Sequence, residues 1–288
     1  MQTLSTHDGL PLHLRSWAAP GLRPPRSRGV VILVHGLGEH IGRYEVLAAD
    51  LNRAGWDVAG YDQRGHGASA GPRGGLNASD DLLRDLSLVI DTLRPPDGRP
   101  LVLLGHSMGG LLVARFLAET LGAAAGATPQ DWSREVDAAV LSSPALDAGM
   151  NGAQKMLLAA LGPLAPGLAV NNGLKPDWIS RDPSVVKAYM ADPLVHDRIT
   201  PRLVRFIVDG GALAIGRAAQ WRVPTLLMWA GADRCVSPAG SEAFAAAAPP
   251  SVVQPRSFDK LFHEIFNEPE RDEVVAALLV WLERRFPR

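Results

Sequence analysis

One short motif in this sequence has the residue types and spacing of a nucleophilic serine. Residues 105–109 read Gly-His-Ser-Met-Gly, which fits G-x-S-x-G with Ser107 at its centre. The motif follows a predicted strand at 100–104 and precedes a predicted helix at 108–121. Glycines are needed because a serine on a sharp, strained strand-to-helix turn leaves no room for side chains two residues away. The start of a helix also favours developing negative charge, so we predict Ser107 as a nucleophile.

The base that such a serine needs is predicted at His263. A serine hydroxyl is a weak nucleophile at neutral pH unless a neighbouring base takes its proton. In hydrolases with this strand-to-helix turn, the chain order is serine, acid, histidine. Of the eight histidines, only His263 follows the last predicted strand, at 252–258. His106 adjoins Ser107, but neighbouring side chains on a tight turn point apart.

The supporting acid is predicted at Asp233, just beyond the end of the preceding strand. The strand at 225–229 is followed by Ala-Gly-Ala-Asp. A carboxylate there would hold the imidazole in the correct tautomer and stabilise the imidazolium that forms. The simpler alternative is a turn-forming aspartate after a glycine. Three carboxylates are nearer to the histidine in sequence but belong to its own loop or helix: Asp259, Glu264 and Glu268.

Two backbone amides are predicted to form an oxyanion hole. One is the N–H of Met108, the residue after the nucleophile, and the other comes from the loop after the first core strand. That loop, 35–40, reads His-Gly-Leu-Gly-Glu-His, so Leu37 is the candidate donor. Its glycines allow close backbone approach, although an ordinary strand-to-helix turn is the alternative. The polar segment 61–69 is interpreted as a hydrogen-bonded turn that braces the site.

The elements that must position these groups alternate between strands and helices. Residues 29–35 form a continuous apolar run, which is typical of a strand buried on both faces. Further strands are predicted at 56–61, 100–104, 136–141, 225–229 and 252–258, and helices at 44–54, 80–93, 108–121 and 270–285. This alternation predicts an α/β fold with a mainly parallel sheet flanked by helices. Near the N-terminus, residues 2–5 and 11–17 flank Asp8-Gly9, which predicts a hairpin.

One interval interrupts the alternation and is interpreted as a helical cap. Between residues 144 and 224 the sequence has helical fragments and turns but no signal for a buried strand. Unstructured loops of that length are uncommon in compact domains. We therefore predict a core formed by 1–144 and 218–288, with a helical cap insertion at 145–217. The most apolar stretch, 156–170, is too short to span a membrane and contains glycines and prolines.

Composition excludes several function classes. The chain has 288 residues, a formal net charge of −1 and no Lys/Arg run, which argues against a nucleic-acid partner. Its one cysteine, Cys235, excludes an intramolecular disulfide, and no CxxC spacing suggests a metal site. Cys235 is expected to be a small buried side chain, the alternative being a thiol at the rim of the site. The polar N-terminus lacks the apolar run of a signal peptide, so we expect a soluble, cytoplasmic protein.

Several segments together resemble one known family. They are 35–40 followed by 42–45, then 62–67, 105–110, 192–197, 231–234 and 263–268. In these segments and their order, the sequence resembles the monoacylglycerol lipase and lysophospholipase branch of the α/β-hydrolase superfamily. Because 192–197 lies in the predicted insertion, the resemblance includes the cap.

The resemblance implies an enzyme that hydrolyses single-chain lipid esters, above all monoacylglycerols, without a cofactor or metal. It supports Ser107, Asp233 and His263 as the catalytic residues, with Leu37 and Met108 as the oxyanion donors. Separately, the many apolar residues within 156–170 lead us to expect that the cap walls an acyl-chain tunnel and makes reversible contact with a membrane or micelle surface. The alternatives are a general carboxylesterase or thioesterase for short acyl chains, a lysophospholipase, and a catalytically silent ligand-binding protein on the same fold.

Overall fold

The computed structural model describes residues 2–17, 27–124, 130–150 and 152–287. The strands are β1 Gln2–Ser5, β2 Pro11–Trp17, β3 Val30–Val34, β4 Asp57–Tyr61, β5 Leu101–His106, β6 Ala138–Ser142, β7 Val170–Asn171, β8 Arg198–Ile199, β9 Thr225–Ala230 and β10 Val253–Phe258. The helices are α1 Glu45–Arg53, α2 Asp81–Leu93, α3 Met108–Ala124, α4 Gly152–Leu161, α5 Pro183–Ala191, α6 Pro201–Arg217, α7 Pro238–Ala247 and α8 Arg271–Arg285.

The main sheet has the order β1-β2-β4-β3-β5-β6-β9-β10. Strands β4, β3, β5, β6, β9 and β10 are parallel, and the β1–β2 hairpin joins the sheet antiparallel at one edge. The predicted α/β fold with a mainly parallel sheet is therefore confirmed, and so are the predicted bounds of the hairpin. Strand β5 continues to His106, beyond its predicted end, because His106 still pairs with Ser142 of β6.

Helices cover both faces of the sheet. Along β3, Val31 and Leu33 pack on one side with α1 and α8, while Ile32 and Val34 pack on the other with α2, α3, α6 and α7. Burial on both sides explains why the central strands read as continuous apolar runs without alternation. The parallel strands end at the same edge, and the loops that follow β3, β5, β9 and β10 there carry the predicted site residues.

The predicted insertion contains more than helical fragments. Besides α4, α5 and α6 it includes a short antiparallel pair, β7 and β8, in which Val170 lies opposite Ile199. These two-residue strands are too short to produce a buried-strand signal. Helix α6 packs in the main core, where Leu203 and Phe206 are buried. The side chains of Leu157 and Leu161, in the apolar stretch of α4, lie outside the described residues. Within the described part of the chain, no helix combines the length and apolar character needed to cross a bilayer.

Candidate active site

Ser107 lies on a strained turn between β5 and α3. Its φ of 53° falls in the left-handed region, which is uncommon for a residue other than glycine. A Cβ at Gly105 would lie 2.4 Å from the carbonyl oxygen of Gly109, and a Cβ at Gly109 would lie 2.1 Å from that of Val34. The glycines of the motif are thus required by backbone contacts on both sides of the serine, as the sequence predicted.

His263 and Asp233 are brought together by loops that follow adjacent parallel strands. Strands β9 and β10 are neighbours, and a Cβ at Gly231 would lie 2.6 Å from Cα of Asp259, so the two loops approach closely. His263 Nδ1 lies 2.7 Å from Asp233 Oδ2. The other carboxylate oxygen, Oδ1, accepts the N–H groups of Cys235 at 2.8 Å and Val236 at 3.1 Å. Asp233 is therefore held in one orientation toward the imidazole, and its role as the supporting acid stays a prediction.

The electrostatics of the pair suit a base that gains a proton during reaction. Burial alone would lower the pKa of His263, but the charge and hydrogen bond of Asp233, together with Glu264 and Glu39, outweigh it and raise that pKa above its usual value. Burial would raise the pKa of Asp233, but His263 and the two backbone N–H groups lower it below its usual value. Each partner thus stabilises the charged form of the other.

Two further side chains border the histidine. The ring of His106 lies 4.7 Å from that of His263, centroid to centroid, and its Nδ1 lies 3.1 Å from Ser142 Oγ. Burial first, and then the neighbouring His263, lower the pKa of His106 to about 4, so it stays neutral. Cys235 is half-buried and lines the same cavity as Ser107 and His263. The expectation of a simply buried thiol was wrong, because the loop after β9 turns this side chain toward the site.

The predicted oxyanion donors belong to two segments that lie next to the serine. Met108 is the first residue of α3, so its N–H has no acceptor within the helix. The loop 35–40 approaches Ser107 closely, since a Cβ at Gly36 would lie 3.1 Å from the Cβ of Ser107. Leu37, which follows Gly36, lines the same cavity as Ser107. Both amides therefore belong to segments that border the nucleophile.

A cavity of about 350 Å³ connects these groups with the insertion. Ser107, His263 and Leu37 form part of its wall, and the insertion contributes apolar side chains from Leu174, Ile179, Tyr189, Met190 and Val195. The segment 61–69 does not line this cavity. Instead Asp62 accepts the N–H of Ile41 at 2.8 Å, and Gln63 donates to the carbonyl of His35 at 2.6 Å. This agrees with the bracing role predicted for that segment.

Among the described residues, two groups have enough ligand atoms close together for a metal ion, but neither fits one. Asp233, Cys235 and His263 offer atoms within 4.8 Å of one another. A metal there would have to break the bond between the carboxylate and the imidazole. It would also need a thiolate, although burial and the charge of Asp233 raise the pKa of Cys235. The second group is His7, Asp8 and Asp81, and there Arg64 already contacts Asp8 at 3.1 Å and Asp81 at 2.9 Å.

A buried ionic cluster beside the site was not predicted from the sequence. Arg43 Nη1 lies 2.7 Å from Glu39 Oε2 and 2.6 Å from Glu264 Oε1. We call these residues the Arg43 cluster. Glu39 and Arg43 belong to motif segments quoted above, and Glu264 directly follows the predicted base. The signal available in the sequence was that these motif positions carry charged residues, although the predicted reaction gave them no role.

Comparison with known proteins agrees with this geometry. The chain matches the family model described as serine aminopeptidase, S33, over residues 25–270. It is 37% identical over 260 residues to the monoacylglycerol lipase of Mycolicibacterium smegmatis, with 88% of each chain covered. It is 30% identical to phospholipase YtpA of Bacillus subtilis, with 88% of this chain and 94% of that one covered. The crystal structure of the Paleococcus ferrophilus monoacylglycerol lipase superposes with a TM-score of 0.82 and 35% identity, covering 95% of this chain and 99% of that one.

These matches and the fold define the class of protein. The chain is a serine hydrolase of the α/β-hydrolase fold and belongs to the serine aminopeptidase S33 family. Within that class it belongs to the branch that contains the monoacylglycerol lipases, which confirms the resemblance found in the sequence.

Proposed function

We propose that this protein hydrolyses single-chain lipid esters, above all monoacylglycerols, through an acyl-enzyme on Ser107. The observation that carries the proposal is the bond of 2.7 Å between His263 and Asp233, beside a cavity that Ser107 also lines. The similarity to monoacylglycerol lipases supports the substrate class. The apolar side chains that the insertion contributes to the cavity suit an acyl chain.

The proposed reaction follows the general course of serine hydrolases. His263 takes the proton of the Ser107 hydroxyl as the oxygen attacks the ester carbonyl. The resulting oxyanion accepts hydrogen bonds from the N–H groups of Leu37 and Met108. His263 then gives its proton to the departing alcohol, which is glycerol for a monoacylglycerol. Water, deprotonated by the same histidine, attacks the acyl-enzyme, and the fatty acid leaves while Ser107 regains its proton.

We further propose that the insertion at 145–217 acts as a cap between the core formed by 1–144 and 218–288 and a lipid surface. The large apolar side chains most exposed to solvent in the described residues belong to this insertion, among them Met156 at 75%, Leu164 at 81% and Met190 at 69%. Exposed apolar surface of this kind often marks an interaction site. Reversible contact with a membrane or micelle would bring the cavity to its substrate, as expected for a peripheral protein.

A lysophospholipase is the second candidate, because phospholipase YtpA is among the relatives. The two functions share the acyl chain and the chemistry but differ in the leaving group, which is glycerol in one and a phosphate-bearing alcohol in the other. The wall of the cavity includes the carboxylates of Asp192 and Asp197 and the cation of Lys175. Asp192 already contacts His40 and Asp197 contacts Arg198, so we rank monoacylglycerols first on the similarity to monoacylglycerol lipases and not on these charges.

A hydrolysis profile tests the proposal. Purified enzyme is assayed with monoacylglycerols, lysophospholipids and nitrophenyl esters of increasing acyl length. Each methylene buried in the cavity contributes up to about 0.8 kcal/mol, so kcat/KM should rise over several carbons and then level off. Monoacylglycerols should exceed lysophospholipids of the same chain. A preference for acetyl over decanoyl esters would contradict the proposal and favour a general carboxylesterase or thioesterase. Faster cleavage of lysophospholipids would favour the second candidate.

A further inference from the structure

Arg43 is a buried cation that contacts two separate loops of the candidate site. Its side chain is 11% exposed, and the guanidinium forks onto Glu264, with Nη1–Oε1 at 2.6 Å and Nη2–Oε2 at 2.8 Å. The same Nη1 lies 2.7 Å from Glu39 Oε2. Bidentate contact of this kind fixes both the distance and the plane of the paired groups. Arg43 therefore ties a carboxylate on the loop after β3 to one on the loop after β10.

The Glu39 carboxylate passes this constraint to the oxyanion loop. Its other oxygen, Oε1, accepts the backbone N–H of Gly36 at 2.6 Å and the hydroxyl of Tyr44 at 2.7 Å. Gly36 directly precedes Leu37, whose N–H is the proposed oxyanion donor. Holding the peptide of Gly36 thus limits where the N–H of Leu37 can lie relative to Ser107.

The Glu264 carboxylate likewise limits where the base, His263, can lie. Glu264 directly follows His263, its Oε2 accepts from Asn267 Nδ2 at 2.9 Å, and its backbone N–H donates to the carbonyl of Ile179 at 2.8 Å. Moving this carboxylate would turn the peptide that carries the imidazole. From the insertion, the ring of Tyr189 covers the guanidinium at 4.8 Å from its centroid. Both loops and the insertion therefore meet at one arginine.

Stability alone does not explain the Arg43 cluster. The side chains of Glu39, Arg43 and Glu264 are 5%, 11% and 7% exposed, so three charges have been withdrawn from water. Desolvation of buried ion pairs can exceed the attraction between them, and apolar residues of similar volume often stabilise a protein as well or better. A buried ion-pair cluster fixes the geometry of the groups that it joins. Here it fixes the position of the oxyanion loop relative to the loop that carries His263.

We propose that Arg43 is a positioning residue that sets the spacing between the oxyanion loop and the loop carrying His263. This inference rests on the proposed function. Arg43 does not touch the reacting atoms but acts through Glu39 and Glu264. Displacements of about 1 Å in a catalytic arrangement can cost roughly a hundredfold in rate. Weakening the contacts of Arg43 with Glu39 and Glu264 therefore lowers kcat and leaves the KM for a short, soluble ester little changed.

The pH dependence gives a second readout. The charged or titratable groups facing His263 are Asp233, Glu264, Glu39, His106 and the thiol of Cys235. Arg43 neutralises two of the carboxylates. If it is replaced by a neutral residue, their charges are no longer balanced, and they favour the protonated form of His263. The rise of kcat/KM with pH then moves to higher pH. A lysine at this position keeps the charge but lacks the planar fork that contacts both carboxylate oxygens of Glu264.

The experiment compares Arg43→Lys and Arg43→Gln with wild type on a soluble nitrophenyl ester. Arg43→Lys should lower kcat about ten- to a hundredfold with KM and the pH midpoint unchanged. Arg43→Gln should lower kcat at least as much and move the midpoint upward. Should Arg43→Gln fail to fold, the double variant Arg43→Met/Glu264→Gln cuts the same link while keeping the local charge balanced, and the same loss of kcat is expected.

Arg28→Lys is the matched control. The side chain of Arg28 is 11% exposed, as is that of Arg43, and it contacts Glu283 and the carbonyl of Phe286 before the start of β3, outside the cavity wall. This variant should lower the melting temperature without changing kcat or the pH midpoint. If folded Arg43 variants keep wild-type kcat and midpoint, or if Arg28→Lys lowers kcat as strongly, the inference is wrong. The proposed function is judged separately, because it depends on whether wild-type enzyme cleaves monoacylglycerols at all.

Discussion

The carboxyl end of the sheet and the insertion border the same cavity, but they are built differently. Around Ser107 the backbone leaves no space for a Cβ at Gly105 or Gly109, and the Asp233 side chain is 1% exposed. In the insertion, α5 has no buried residue at all, and Leu164 is 81% exposed. Chemistry requires reacting groups to be placed within a fraction of an ångström, which a packed core can provide. Recognition of a flexible acyl chain tolerates a looser wall.

This contrast predicts that substitutions at the sheet will abolish turnover for every substrate, whereas substitutions in the insertion will act only on long-chain or aggregated ones. The predictions below are ordered by the size of the effect expected from that difference.

The largest effect is expected at the nucleophile and base. Ser107→Ala should lower kcat by about 10⁶-fold, as should His263→Ala, and the double variant should lose little more, because such residues act as one unit. Ser107→Ala should also abolish labelling by a fluorophosphonate probe. Circular dichroism and the melting temperature control for folding. Near-additive losses, or substantial activity in folded Ser107→Ala, would remove this pair from the mechanism.

The next effect is expected at the acid. Asp233→Asn should lower kcat by up to about 10⁴-fold, because the amide no longer holds the required imidazole tautomer. In wild type the raised pKa of His263 moves the rise of kcat/KM with pH above the usual range for a histidine. Removing the carboxylate removes the strongest influence that raises this pKa, so the residual activity should rise at lower pH. The pH profiles of both proteins measure this shift. Wild-type turnover in Asp233→Asn would place the acid elsewhere.

The same contrast explains how much could be predicted from the sequence. Central strands and the turn at Ser107 have strong local signals, because burial on both faces and backbone crowding restrict which residues are possible. The Arg43 cluster had no such signal, since its members come from loops that only the folded sheet brings together. The pair β7–β8 in the insertion was missed because two-residue strands carry almost no pattern. The orientation of the Cys235 side chain toward the cavity was missed because it depends on the backbone path of the loop after β9, which the sequence pattern does not reveal.

In the insertion a smaller and selective effect is expected. Leu164→Asp and Leu168→Asp replace side chains that are 81% and 61% exposed. Full burial of one leucine side chain contributes up to roughly 1.5–3 kcal/mol. Because each substitution removes such a side chain from the proposed lipid-contacting surface, vesicle binding should weaken about tenfold. Hydrolysis of long-chain substrates in vesicles should slow, while short, soluble esters are unaffected. Flotation with vesicles and parallel assays measure both.

A matched control separates the insertion from exposed apolar surface in general. Val280 is 48% exposed on α8, in the predicted core. Val280→Asp should leave vesicle binding and hydrolysis unchanged. If wild type does not bind vesicles, or if Val280→Asp weakens binding as much as Leu164→Asp, the proposed surface contact of the insertion is wrong.

The smallest effect is expected at Cys235, where the two regions meet. Burial first, and then the charge of Asp233, raise the pKa of this thiol, so it is not prepared to act as a nucleophile. Cys235→Ala should therefore retain activity close to wild type. The thiol nevertheless lines the cavity, and its backbone N–H donates to Asp233 at 2.8 Å. A bulky maleimide attached there would block the cavity or displace the acid, so prolonged treatment at alkaline pH should inhibit wild type but leave Cys235→Ala active. Equal inhibition of both proteins would show that the reagent acts at another residue, since no other cysteine is present.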